Sequence, residues 1–172
     1  MGAGKTVVGR QLAKRLHRQF FDSDQEIEAK TGVRIPTIFE IEGEAGFRRR
    51  EASVLADLCG MQGLIVATGG GAVLAEENRL AIKQSGIVVY LSATPELLYE
   101  RTRHDRNRPL LQVDDPLARL MLLHAQRDPI YRSIADIVIE SRNSTATTMA
   151  QAVEKELEDR KSTRLNSSHI TI

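Results

Sequence analysis

Gly2-Ala3-Gly4-Lys5-Thr6, "GAGKT", is the stretch from which the fold can be read. It has the form of the closing half of a phosphate-binding loop, G-x-x-x-x-G-K-[ST], in which a buried strand and a first glycine lead into a helix. By that spacing the first glycine falls upstream of Met1, so the strand and the leading edge of the loop are expected to be missing from this chain. The residues that remain still carry chemistry. Glycines let backbone N–H groups turn toward phosphate oxygens, and a helix N-terminus adds positive potential. Lys5 would reach the outer phosphates and the Thr6 hydroxyl would ligate Mg²⁺. For so short a string, a glycine-rich helix start with no ligand stands as the plain alternative.

The residues that follow set the fold class. From Thr6 to about His17, apolar Val8, Leu12 and Leu16 recur at helical spacing. Phe20-Phe21 runs as a strand end into "DSD", where Ser23 with Glu26 predicts a capping box for a helix stopping at Gly32. A helical pattern covers Ile35 to Leu58, with a break near Gly43. "LIVATGGG", "GIVVYL" and "ADIVIES" read as strands separated by helices. Thr94-Pro95 and Asp115-Pro116 are helix starts, the second helix running to about Asp128-Pro129. "RTRHDRNRPLL" has no core face and reads as a mobile loop. Strands alternating with helices predict an α/β protein with a mostly parallel sheet. One domain over residues 1–161 is expected. The Ser-, Thr- and Asn-rich end, 162–172, is expected to be a disordered or non-native tail.

Composition narrows the function. The 172 residues are 41% hydrophobic and 27% charged with a net charge of +1, which suits one globular domain and argues against a nucleic-acid or membrane-surface binder. Cys59 is the one cysteine, so no internal disulfide forms, and no Cys/His cluster has metal-site spacing. No apolar run reaches membrane-spanning length and no signal peptide precedes the loop, so a cytoplasmic protein is expected.

Four further motifs point at a site. In "DSD", Asp22 and Asp24 leave a strand at the carboxyl edge of the sheet, where open α/β folds bind ligands. Helix capping is their simpler use. "GFRRRE" places Arg48, Arg49 and Arg50 in succession, so a helix aims at most one or two at a single pocket; a solvated basic face, with Arg48 held by Glu51, is the rival. Three glycines in "ATGGGAV", Gly69, Gly70 and Gly71, are more than a tight turn needs and imply close approach of backbone to something. "RPLL" and "RDPIY" carry Arg108 and Arg127. A nucleic-acid patch fits them poorly, because no aromatic residues interleave with the arginines.

Taken together, "GAGKT", "DSD", "GFRRRE", "ATGGGAV" and the pair "RPLL" and "RDPIY" resemble the shikimate kinase family, within the P-loop group that includes nucleoside-monophosphate kinases. The resemblance spans about Met1 to Lys161 and implies a three-layer α/β/α fold whose parallel sheet has five strands, the first and central one missing here. It implies transfer of the γ-phosphoryl group of ATP to the 3-hydroxyl of shikimate, with Mg²⁺, in a monomer. Gly2, Ala3, Gly4, Lys5 and Thr6 would hold the nucleotide phosphates, and Thr6 and Asp22 the metal. Asp24 would bind the shikimate hydroxyls and act as base. Arg48 and Arg127 would clamp the shikimate carboxylate, and Gly69, Gly70 and Gly71 would offer backbone groups. Arg108 would close over the phosphates from a lid at about 103–116. Arg101 would lie near the adenine, with a second adenine-side contact within 141–144. Val7 stands where the family usually has Ser or Thr. With its first strand missing, the chain is expected to be unstable or nearly inactive. Two alternatives stay open: a non-catalytic fragment of the same fold, and a related small-molecule kinase such as gluconate kinase.

Overall fold

Five short strands lie side by side in the computed structural model, which describes residues 2–104, 109–141, 144–161 and 169–172, without the side chains at 109 and 161. In chain order the main elements are α1 (Lys5–Leu16), β1 (Gln19–Asp22), α2 (Ser23–Thr31), α3 (Ile35–Gly60), β2 (Leu64–Ala67), α4 (Glu76–Ser85) and β3 (Gly86–Ser92). They continue with α5 (Pro95–Thr102), α6 (Pro116–Ile134), β4 (Ile137–Glu140), α7 (Ala146–Lys161) and β5 (His169–Thr171). The sheet order is β1-β2-β5-β3-β4, and all four pairings are parallel.

Side-chain alternation along the strands divides the core into two faces. Ile65, Val89, Leu91, Ile137 and Ile170 pack against Val8 and Leu12 of α1 and Met149, Val153 and Leu157 of α7. On the other face Leu64 and Val66 meet Ile27 of α2 and Ile38, Phe47, Val54 and Leu58 of α3. Val88 packs there with Ile82 of α4 and Ile134 of α6. The result is the helix–sheet–helix sandwich expected of alternating α and β elements.

The central position is where expectation and structure part. Residues 169–172 are not disordered: they form the middle strand. Ile65 pairs with Ile170 and Val66 with Thr171 on one side, and Gly86 with His169 and Ile87 with Ile170 on the other. The ladder continues through Ile172, whose N–H donates to Val66 O at 2.8 Å and whose O accepts from Thr68 N at 2.9 Å. The physical reason is a pattern hidden by the polar residues before it. "HITI" alternates with period two and carries β-branched residues at three of its four positions. Ile170 and Ile172 join the α1/α7 core, while His169 accepts the Leu64 N–H at Nδ1, 3.3 Å away. Gly86 opposite has no Cβ to strike the His169 backbone. The central slot is thus filled from the other end of the chain; residues 162–168 lie outside those described.

Two local expectations also change. α6 does not stop near Pro129 but runs on to Ile134. Proline removes one helix hydrogen bond, yet Ile130, Tyr131 and Ile134 on the added turns pack onto the Val73, Ile82 and Val88 cluster. Ser23 does not build a capping box: Asp22 caps α2, its Oδ1 accepting from Asp24 N at 3.1 Å. The break in α3 falls at Gly43 as expected, with φ 68° and ψ −176°.

Candidate active site

The carboxyl ends of β1 and β2 and the start of α1 bring most of the expected residues together. Gly4, at φ 84°, turns the chain into α1, and no side chain caps that helix. The positive end of that helix suits an anion. Gly2 is likewise left-handed, at φ 69°. Thr6 Oγ1 donates to Asp22 Oδ2 at 2.6 Å, so the two expected metal-side residues adjoin. Asp22 serves both readings, since its other oxygen caps α2.

The glycine loop after β2 is held tightly. The Gly69 N–H donates to the buried Ser23 Oγ at 3.0 Å, tying the loop to "DSD". A Cβ added at Gly69 would lie 2.6 Å from Glu51 Oε1 and 2.9 Å from Asp24 Oδ1. One added at Gly71 would collide with the Arg48 guanidinium. The glycines are therefore explained by close approach: Asp24, Glu51 and Arg48 all press on this loop.

Arg48 and Glu51 form the charged floor. Arg48 Nη1 donates to Glu51 Oε2 at 2.7 Å, and Nη2 to Glu44 Oε1 at 2.9 Å. Glu51 is 0% exposed. Burial pushes its carboxyl above the usual range, with Arg48 pulling it back only in part. For Arg48, burial works against the charge, but the two carboxylates outweigh it and the guanidinium is raised. Arg48 thus faces both a carboxylate and the loop, while Arg49 and Arg50 are exposed and Arg50 pairs with Glu42 at 2.6 Å. In the sequence, Glu51 reads only as a carboxylate that holds Arg48. Its i,i+3 spacing was the available signal.

From the far side α6 presents Arg127, 5% exposed, to a cavity that Lys5, Gly69, Gly70 and Tyr131 also line. Its Nε is buried with no hydrogen-bond partner among the described residues. Tyr131, one helical turn on, donates its hydroxyl to the Gly70 carbonyl. The sequence gave no hint of that bond, because it depends on α6 continuing past Pro129. At the edge of the loop Arg101 Nη1 donates to Ser141 Oγ at 2.9 Å and reaches Gly2 O at 3.5 Å. The expected adenine-side residue and the 141–144 segment therefore do meet. Arg108, together with most of the central part of the 103–116 segment, at 105–108, lies outside the described residues, as do 142–143.

Chemically, the arrangement offers a helix N-terminus and a lysine for phosphates, a hydroxyl and a carboxylate for a cation, and two arginines with an aspartate around a donor-rich loop. Among the described residues no group of three or more His, Cys, Asp or Glu could hold a metal by itself. Thr6 and Asp22 suit Mg²⁺ that arrives with phosphate, since that ion keeps waters and takes few protein ligands.

Gly71→Ala checks the geometry. Gly71 sits at φ −92°, ψ −9°, which alanine adopts freely. The added methyl would strike Nη1 and Nη2 of Arg48, so the guanidinium must shift away from its bonds to Glu51 and Glu44. KM for the substrate that Arg48 contacts should rise by ~10-fold or more, since small misplacements at a reacting site are costly, and the melting temperature should fall as the Arg48–Glu51 pair is disturbed. Steady-state kinetics with calorimetric melting would check it.

Comparison with known proteins gives one consistent result. The profile of the family described as shikimate kinase matches residues 1–158. The chain is 59% identical over 156 residues to a shikimate kinase of Dechloromonas aromatica, covering 91% of this chain and 85% of that protein. It is 57% identical over 158 residues to one from Cupriavidus pinatubonensis, covering 92% and 82%. Among solved structures, the Acinetobacter baumannii shikimate kinase in complex with shikimate aligns with a TM-score of 0.92 at 52% identity, covering 94% of this chain and 90% of that one. The Aquifex aeolicus shikimate kinase aligns at 0.82 with 33% identity and 93% coverage of each.

Proposed function

Since the chain belongs to the shikimate kinase family, we propose that its phosphate loop, "DSD" pair, glycine loop and buried arginines perform that family's reaction. The protein is an ATP-dependent kinase that transfers the γ-phosphoryl group to the 3-hydroxyl of shikimate, giving shikimate 3-phosphate and ADP on the route to aromatic amino acids. The observation that carries the assignment of roles is the convergence of Arg48, Arg127 and Asp24 on the Gly69–Gly71 loop, next to Lys5.

Gly2 to Thr6 cradle the phosphates with backbone N–H groups, and Lys5 takes the outer charge. Thr6 and Asp22 would hold Mg²⁺, which when bound would neutralise charge on the phosphate oxygens. Arg48 and Arg127 clamp the shikimate carboxylate; a planar anion suits two forked guanidinium groups better than two ammonium groups. The clamp orients the ring so that the 3-hydroxyl faces Asp24. That hydroxyl oxygen bonds to phosphorus as the bond to the ADP oxygen breaks, and its proton goes to Asp24. Gly69, Gly70 and Gly71 offer backbone groups to the bound substrate. Arg108, which lies outside the described residues, takes the family role of countering charge on the transferred phosphoryl group. Arg101 lies against the adenine. A monomer acting in the cytoplasm completes the reading, with residues 1–161 as its P-loop domain. Filling of the central slot by β5 supports an active chain over a non-catalytic fragment.

Asp24→Asn tests the role of the base. It keeps shape and removes the proton acceptor, and loss of a general base is typically worth ~10²–10⁴-fold in rate. Positioning and charge dominate this chemistry, so kcat should fall by ~10²-fold with ATP affinity retained. Turnover equal to the parent would leave Asp24 with a binding role only.

A further inference from the structure

We propose that Tyr131 is a positioning residue for the acceptor substrate: its hydroxyl holds the Gly70–Gly71 peptide so that the Gly71 N–H becomes a third donor beside the two arginines. The inference rests on the assignment of Arg48 and Arg127 to the carboxylate, and it follows from where the backbone groups of the glycine loop go.

Each buried backbone group needs a partner. The Gly69 N–H goes to Ser23 Oγ, and the Gly69 carbonyl accepts from Ala72 N at 3.1 Å. The Gly71 carbonyl accepts from Leu74 N at 3.0 Å. The Gly70 carbonyl accepts from Tyr131. The N–H groups of Gly70 and Gly71 are left with no partner among the described residues. The Gly70 carbonyl and Gly71 N–H belong to one peptide unit, which is trans and planar, so they point in opposite directions. Fixing the carbonyl toward Tyr131 therefore turns the N–H away from it, on the residue where the Arg48 guanidinium occupies the place a Cβ would take. A hydrogen bond to the carbonyl also polarises the N–H of the same peptide.

Tyr131 is built for the task. It follows Arg127 by four residues and so shares its helix face, and the Arg127 charge acts on its hydroxyl. Its ring lies 4.9 Å from that of Tyr90. Burial raises the Tyr131 hydroxyl, so it stays a donor through the neutral range. Glycine at 70 and 71 leaves the peptide free to rotate in the absence of such a restraint.

The test is Tyr131→Phe in the full chain, with Tyr90→Phe as control and Arg127→Ala as reference. Tyr131→Phe should raise KM for shikimate by ~10-fold, about the worth of one hydrogen bond, with KM for ATP within twofold. Tyr90→Phe removes a hydroxyl from the same ring pair, one that donates to Asp128 Oδ1 at 2.8 Å, and should leave both within twofold. An unchanged KM for shikimate in Tyr131→Phe, with Arg127→Ala raising it, overturns the proposal and keeps the clamp. No change in either variant removes the clamp itself. A second measurement needs no variant: in glycine-¹⁵N-labelled parent protein, shikimate should shift the Gly71 amide resonance. A Gly71 amide that stays still at saturating shikimate also overturns the proposal.

Discussion

Arg127→Ala is expected to weaken shikimate binding by at least ~30-fold while leaving ATP affinity within twofold. Loss of one arm of a buried charge pair typically costs ~2–5 kcal/mol, which corresponds to ~30-fold to several thousandfold in Kd. Arg127 is the cleaner of the two arginines to remove. It is 5% exposed and its Nε has no partner among the described residues, so a donor is held ready for a ligand. Arg48, by contrast, is bonded to Glu51 and Glu44. Removing it would strand a carboxylate inside the protein and mix stability with binding. Titration calorimetry with each ligand would read the difference. Equal losses for shikimate and ATP would count against the assignment. Arg127→Lys should recover only part of the affinity, because an ammonium supplies charge without the fork.

Deleting residues 169–172 should abolish cooperative unfolding. Ile170 and Ile172 are buried in the α1/α7 core, and each fully buried side chain of this size contributes ~1.5–3 kcal/mol. The same four residues satisfy backbone groups of β2 and β3 on both sides, and these would be left unpaired in the middle of a sheet. The total approaches the whole stability of a typical domain, ~5–15 kcal/mol. Ile170→Asp makes the same test at constant length, by placing a charge against Leu12 and Val153 in that core. Differential scanning calorimetry would show a broad or absent transition in both variants. A parent-like melting curve after deletion would mean that β5 does not hold the central position.

How far the sequence speaks for itself differs from residue to residue. The phosphate loop, "DSD" and the glycine triplet are legible because each encodes a backbone demand that few residues satisfy. Left-handed Gly4 opens α1, Asp22 caps α2 while receiving Thr6, and Gly69 and Gly71 sit where any side chain would strike Glu51 or Arg48. The alternation of strands and helices gave the layered fold for the same local reason. What stayed hidden depends on contacts distant in sequence. "HITI" looks like the end of a polar tail until its partners in β2 and β3 are known. Pro129 reads as a helix stop until the cluster around Ile82 and Val88 is seen to hold the next turn of α6. Ser23 has the spacing of a capping box, yet its hydroxyl serves Gly69, 46 residues away. Glu51 is intermediate between these cases. Its spacing from Arg48 is local, but its complete burial is a tertiary fact.

The central claim, that this chain phosphorylates shikimate with the residues assigned above, is tested most directly by ADP release in a coupled assay. Shikimate, gluconate and no acceptor would be compared in the presence of ATP and Mg²⁺, with Asp24→Asn alongside the parent. ADP release should depend on shikimate, with one shikimate 3-phosphate formed per ADP, background rates with gluconate or no acceptor, and a rate ~10²-fold lower for Asp24→Asn. ADP release that is indifferent to shikimate, or equally fast with gluconate, would contradict that claim.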